Sequence, residues 1–167
     1  MGPLPKVLRN YNVLVDGTTF AGIATEVTLP KLAIKEEEHR GGGHDMPIPI
    51  DMGMEKVETG FTLAEHHAAV FRKFGLRDGQ SCSLVFRGAK VDDKSVESYV
   101  VEVRGRLREI EPGNATPGGK NEFKGMVSCR YIKITMKGET LIEIDADNFK
   151  RVIGGQDVLA DIRAAIA

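Results

Sequence analysis

The stretch Tyr99-Val100-Val101-Glu102-Val103-Arg104-Gly105-Arg106-Leu107-Arg108 alternates apolar and polar residues more regularly than any other part of the chain. Tyr99, Val101, Val103 and Leu107 fall on one face, and Glu102, Arg104, Arg106 and Arg108 on the other. Successive strand residues point to opposite faces, so this period of two predicts a half-buried β-strand. The same pattern extends in both directions. Upstream, Cys82, Leu84 and Phe86 share a face within Ser81–Val91. Downstream, Phe123, Val127, Cys129 and Tyr131 form an apolar face that switches to Ile132, Ile134 and Met136 without a gap. A switch of phase inside one continuous strand predicts a bulge or a passage between sheets. Lys137-Gly138-Glu139 reads as a turn. Leu141–Asp145 returns, with Ile142 and Ile144 inward and Glu143 and Asp145 outward.

The N-terminal third continues the pattern. Tyr11, Val13 and Val15 alternate with polar residues, and Asp16-Gly17 predicts a hairpin turn into Thr18–Phe20. Val27 and Leu29 follow. Pro30 lacks a ladder donor and marks an edge or bulge, after which the phase flips to Leu32 and Ile34. Glu36–Glu38 reads as a charged tip. His39–Pro49, with Gly41–Gly43, Pro47 and Pro49, reads as a long loop, which is usually functional or mobile. A second glycine- and proline-rich loop spans about 112–119. Thr62 and Glu65 have capping-box spacing and predict a helix over about Leu63–Phe74, stopped at Gly75. A C-terminal helix is predicted over about 156–166, with Val158, Leu159, Ile162 and Ile166 as its stripe. The fold expected is mainly β: a β-sandwich or half-barrel in one domain over residues 1–167, with one internal packed helix and a short C-terminal helix.

Composition narrows the function. The 167 residues are 41% hydrophobic and 28% charged, with a formal net charge of −1. At this length roughly 70% of the extended surface is buried on folding. A near-neutral chain without Trp is poorly suited to gripping phosphates or stacking bases. No apolar run approaches the ~20 residues of a membrane span, and Met1–Asn10 has no signal-peptide h-region. Cys82 and Cys129 in strand contexts read as buried free thiols, in keeping with a reducing, cytoplasmic origin.

Catalytic and metal chemistry find little support. His39 and His44 flank the triple glycine, and His66 and His67 are adjacent on the expected helix. Neighbouring helix positions point about 100° apart, so the latter two cannot easily share an ion. No Lys-Ser/Thr pair or helix follows Gly41–Gly43, as a phosphate loop requires. There is no G-x-S-x-G elbow. The Arg104–Arg108 row could bind an anion, but Glu102, Glu109 and Glu111 flank it, and pairing with acidic neighbours is the simpler account. No catalytic residue, metal site or cofactor is expected.

Several motifs then fall in a recognisable order. They are Val27-Thr-Leu-Pro-Lys-Leu32, Arg40-Gly-Gly42, Pro49-Ile-Asp-Met-Gly53, Arg104-Gly-Arg106 leading to Glu109-Ile-Glu-Pro-Gly113, Glu122-Phe-Lys124, and Leu141-Ile-Glu-Ile-Asp145 followed by Gly154. Together they span nearly the whole chain. In this ordered set the chain resembles the major tail tube proteins of contractile-tailed bacteriophages and of R-type phage-tail-like bacteriocins. It departs from the pattern at Glu36-Glu-Glu-His39 and at His44, which bears on local contacts.

The resemblance implies a structural, non-enzymatic virion protein made in the host cytoplasm and placed in the tail. Its sheets would join between subunits into hexameric ring barrels, stacked into a hollow conduit that is driven through a target envelope and passes DNA without holding it. The tail sheath, baseplate and tape-measure proteins would be its other partners. The expected ring-stacking residues are His39, Arg40, Gly41, Gly42, Gly43, His44, Asp45, Met46, Ile48, Ile50 and Met52. The polar strand faces expected at the lumen or between subunits carry Glu102, Arg104, Arg106, Arg108, Glu143 and Asp145. The alternatives are a ring protein of a type VI-like secretion apparatus and a small ligand-binding β-barrel.

Overall fold

The computed structural model describes residues 4–77 and 80–167. The first three residues of the N-terminal stretch read above lie outside them. The described chain is built mainly from antiparallel strands, the fold class expected. They are β1 (Val7–Val15), β2 (Thr18–Thr19), β3 (Ala24–Thr28), β4 (Ile34–His39), β5 (Ile48–Met54), β6 (Glu58–Leu63), β7 (Cys82–Val91), β8 (Val96–Glu111), β9 (Phe123–Met136), β10 (Glu139–Asp145), β11 (Lys150–Ile153) and β12 (Gln156–Asp157). Two short helices, α1 (Ala68–Phe71) and α2 (Ala160–Ile166), accompany them.

One sheet runs β12-β11-β10-β9-β8-β7-β1-β2, and β6 pairs with β9 on one side and β3 on the other. The long strand β9 makes this possible. Its first half, Phe123–Ser128, pairs with β6; its second half, from Tyr131, pairs with β10. Between them the register against β8 slips: Arg104 faces Tyr131 and Gly105 faces Cys129, leaving Arg130 as the extra residue. The backbone changes partners at that point. Cys129 N–H donates to Val57 O at 2.9 Å, while Arg130 O accepts from Ala146 N–H at 3.0 Å. This bulge is the physical content of the phase switch in the sequence, and it carries β9 from one layer to the other. Opposite it, a Cβ on Gly105 would overlap the Ser128 carbonyl, so only glycine admits the close approach.

The apolar faces meet between the layers. Val13, Phe20, Phe61, Leu63, Val70, Leu84, Phe86, Val101, Val103, Leu107, Phe123 and Val127 are buried. The strand pattern of the opening stretch holds, since Val101, Val103 and Leu107 are at most 1% exposed. The Asp16-Gly17 and Lys137-Gly138 turns also hold: all four residues have positive φ, as primed hairpin turns require.

Four expectations need correction. The internal helix spans only Ala68–Phe71, not Leu63–Phe74. Thr62 and Leu63 belong to β6, a strand paired on both sides with five of its six residues buried. That burial overrides a local capping signal worth about 1 kcal/mol, and the cap is instead His67, whose ring nitrogen accepts from Ala69 N–H at 3.2 Å. The charged Glu36–Glu38 is not a tip but the middle of β4. The loop read as His39–Pro49 is shorter, because His39 pairs with Ile48 and Glu38 with Pro49; proline is tolerated there because β5 pairs only with β4. The C-terminal helix begins at Ala160, since Gln156–Asp157 pairs with β11 as β12.

Candidate assembly surfaces

β4 and β5 form a two-stranded sheet of their own, joined through 40–47 and, among the described residues, paired with no other strand. The structure therefore brings the expected stacking residues together on one hairpin: His39 on β4, Arg40–Met46 in the turn, and Ile48, Ile50 and Met52 on β5. The turn is organised by His44. Its N–H donates to Gly41 O at 3.1 Å, its Nδ1 accepts from Gly41 N–H at 3.0 Å, and its carbonyl accepts from Arg40 Nε at 3.3 Å. The His39 ring stands edge-on to that of His44, centroids 6.0 Å apart. The register places Glu37 opposite Ile50 and His39 opposite Ile48, so these four share a face. Ile48 and Ile50 are 44% and 45% exposed, and Met46 is 71% exposed. Glu36, Glu37 and Glu38 form no ion pair among the described residues.

The polar strand faces resolve differently. Glu102, Arg104, Glu143 and Asp145 lie together on the sheet face turned away from the core. Glu102 is registered opposite Lys133, which is opposite Glu143, and Arg104 is opposite Tyr131, which is opposite Asp145. Charge alternates across this face. The Arg104 guanidinium lies 4.0 Å from the centre of the Tyr131 ring. Lys150 Nζ bonds Glu143 at 2.7 Å, which holds that amine protonated above the usual lysine range. The Asn148 side-chain amide, the backbone N–H groups of Asn148 and Asp147, and nearby Arg104 hold the Asp145 carboxyl below the usual range. Arg106 continues the line past the bulge. Arg108 lies beyond a second slip, between Leu107 and Glu109, and pairs with Glu58 at 3.2 Å and Glu109 at 3.6 Å. The arginines are thus not one anion-binding row.

The histidines and thiols are structural. His66 bonds Pro112 O at 2.8 Å, and His67 caps α1 and packs edge-on against Phe20 at 4.8 Å. Burial pushes the Cys82 thiol up to about 12 and the Cys129 thiol to about 11, which leaves both poor nucleophiles. Among the described residues no group of His, Cys, Asp and Glu could hold a metal ion, and no helix is long and apolar enough to cross a membrane.

One surface was not singled out in the sequence. The base of the hairpin, the β10–β11 turn and α2 enclose a groove of about 650 Å³, lined mainly by Met52, Met54, Ile144, Phe149, Val158, Leu159, Ile162 and Ile166. Asp51 crosses its rim to Arg151 at 3.1 Å. Arg163 donates to Phe149 O at 3.1 Å and to Asp157 at 2.7 Å, clamping Phe149 at φ 52. The expected C-terminal stripe points to α2, but Met52 and Met54 on the opposite wall lie about a hundred positions upstream.

With these surfaces in view, the family model for phage tail tube protein FII matches residues 5–166. The chain belongs to this family. As a phage tail tube protein it is a structural, non-enzymatic component of the virion tail. It is 33% identical to the tail tube protein of Escherichia phage P2 over 168 residues, covering 98% of each chain. It is 30% identical to the major tail tube protein of Serratia phage KSP20 over 164 residues, covering 95% of this chain and 93% of that one. Similarity over the full length extends to the tail tube strands on both sides of the bulge, to the hairpin and to α2.

Proposed function

We propose that copies of this chain join sheet edges into hexameric rings, and that the rings stack into a hollow conduit that passes DNA. The observation that carries this reading is the β4–β5 hairpin. A two-stranded sheet is marginal alone in water, and this one carries apolar residues at 44–71% exposure among the described residues. The hairpin, from His39 to Met52, contacts the neighbouring ring. Ring closure is favoured by the uncovered edge of β1, since β2 pairs only with Leu14 and Val15 of its nine residues. The charge-alternating face of Glu102, Arg104, Lys133, Glu143 and Asp145 faces the lumen. Its cations are already offset by carboxylates, so DNA slides past without the counterion release that drives tight binding. Sheath, baseplate and tape-measure proteins complete the tail.

Negative-stain electron microscopy of the purified protein tests the reading: rings or tubes are expected. Deleting Gly41–Asp45 is expected to leave a folded protein with a native circular dichroism spectrum that forms no long tubes. Unchanged tube length after that deletion sinks the role given to the hairpin. Tight DNA binding by assembled tubes at physiological salt sinks the lumen assignment.

A further inference from the structure

The tip of the β4–β5 hairpin is held by an acceptor that a proton can remove. The turn over 40–47 contains three consecutive glycines, Gly41–Gly43, and glycine loses more backbone freedom on ordering than any other residue. Among the described residues, the hydrogen bonds within this turn all run through His44. Two use its backbone. The third uses its ring, where Nδ1 accepts from Gly41 N–H at 3.0 Å. A backbone N–H only donates, so Nδ1 is the bare nitrogen of a neutral ring and the proton sits on Nε2. An imidazolium carries N–H on both nitrogens and accepts nothing. Proton uptake by His44 therefore ends this bond and sets two N–H groups against each other, and the ring must swing off Gly41.

The surroundings reinforce the effect. His44 is exposed, so water reaches the ring. The His39 ring stands edge-on to it, and Gly41 lies beside both: a Cβ built there would be 3.4 Å from His44 Nδ1 and 3.6 Å from His39 Nε2. Arg40 Nε is bound to the His44 carbonyl, so protonation of both rings gathers three cations at one tip. The carboxylates of the hairpin are Glu36, Glu37 and Glu38 on β4, Asp45 in the turn and Asp51 on β5. None of them pairs with a histidine among the described residues, and Asp51 is bonded to Gly53 N–H and Arg151. No carboxylate is in place to hold a protonated His44 where the neutral ring now sits.

We propose that His44 is a proton-operated latch on the hairpin. The neutral ring closes the turn onto Gly41 and fixes the approach to Met46, Ile48 and Ile50; the protonated ring releases it. Histidine is the side chain whose charge ordinarily changes between pH 5 and 8, above the range in which carboxylates take up protons. Loss of one hydrogen bond shifts the closed-to-open ratio of the turn by about threefold to tenfold per copy. Copies that present the hairpin together multiply that factor, so mild acid shortens tubes. The latch stands on the geometry of the turn alone, while its effect on tube length rests on the stacking role proposed for the hairpin.

The test follows the Gly41 amide and the imidazole nitrogens by nitrogen-15 NMR of the full chain from pH 7.5 to 5.5, in solution for free subunits or under magic-angle spinning for tubes. The His44 Nδ1 signal is expected to change from a bare to a protonated nitrogen, with the Gly41 amide moving at the same midpoint. His44→Asn places Oδ1 one bond beyond Cγ, as Nδ1 is, and accepts the same bond with no proton to gain. Its Gly41 amide is expected to stay fixed across the range. His44→Ala is expected to show the released amide at every pH, and His39→Gln to keep the latch. A Gly41 amide that stays still while His44 titrates, or that moves equally in His44→Asn, overturns the latch whether or not tubes form. Electron microscopy at the same pH values reads the consequence. Wild-type tubes are expected to shorten severalfold at pH 5.5 and His44→Asn tubes to keep their length. A latch that operates in the spectra while tube length stays constant overturns the stacking role of the hairpin and not the latch.

Discussion

Arg151 on β11 donates to Asp51 at the base of the hairpin across 3.1 Å, joining residues one hundred positions apart. Arg151 is mostly buried, while the Asp51 side chain is 49% exposed. Among the described residues the β4–β5 sheet pairs with no other strand, so this bond is a tether beside the packing of Met54 against the core. An ion pair this accessible to water contributes little to stability. Arg151→Ala is therefore expected to shift the melting temperature by only a few degrees while loosening the hairpin. Hydrogen exchange at the amides of 48–54 checks this: faster exchange there, with β8 and β9 unchanged, is expected. Unaltered protection across 48–54 rules the tether out.

Gly105 sits where β9 crosses between layers, and a Cβ there meets the Ser128 backbone carbonyl rather than a side chain that could move aside. Gly105→Ala must displace the bulge itself, which places it at the upper end of the overpacking range, about 3 kcal/mol. Urea denaturation followed by circular dichroism measures the loss. A cost near zero is the outcome that removes the bulge from its central place in the fold.

Glu97 is 8% exposed and receives the Lys6 ammonium at 2.8 Å, with Lys137 at 3.7 Å. The Lys6 hydrogen bond is the main reason its carboxyl is held below the ordinary 4.5, while burial opposes the effect. Asp145 and Asp51 are held low as well, from an ordinary 3.8. A carboxyl depressed in the folded state binds fewer protons there than in the unfolded chain, so stability rises with pH through this range. Its contribution is present above about pH 4.5 and is lost as pH falls through the folded values. Thermal melts from pH 7 to pH 3 are expected to fall in that window. Glu97→Gln is expected to flatten the fall, and an identical acid profile for that variant counts against Glu97 as a contributor.

The two thiols are pushed up to about 12 and about 11 by burial. Reactivity follows the thiolate, so neither is expected to react with a disulfide reagent at pH 8 in the folded protein. Two equivalents per chain are expected on unfolding, matching the two cysteines of the sequence. Rapid labelling of Cys129 without denaturant contradicts the burial assigned to it.

The sequence by itself determined the strand-rich class, the two primed turns at Asp16-Gly17 and Lys137-Gly138, the bulge in β9 and the family resemblance. Each is written in contiguous residues: a period of two, a turn dipeptide, a break of phase, an ordered set of short motifs. Tertiary structure decided the rest. Thr62-x-x-Glu65 has the spacing of a helix cap, yet Thr62 lies in β6 because pairing with β3 and β9 buries five of six residues there. Glu36–Glu38 has no strand pattern of its own and becomes β4 only because Pro49–Asp51 lies against it. The groove joins Met52 and Met54 to Phe149 and Ile162 across about a hundred residues. A surface composed of distant segments leaves no local signature, because its apolar residues meet only after the strands between them have paired.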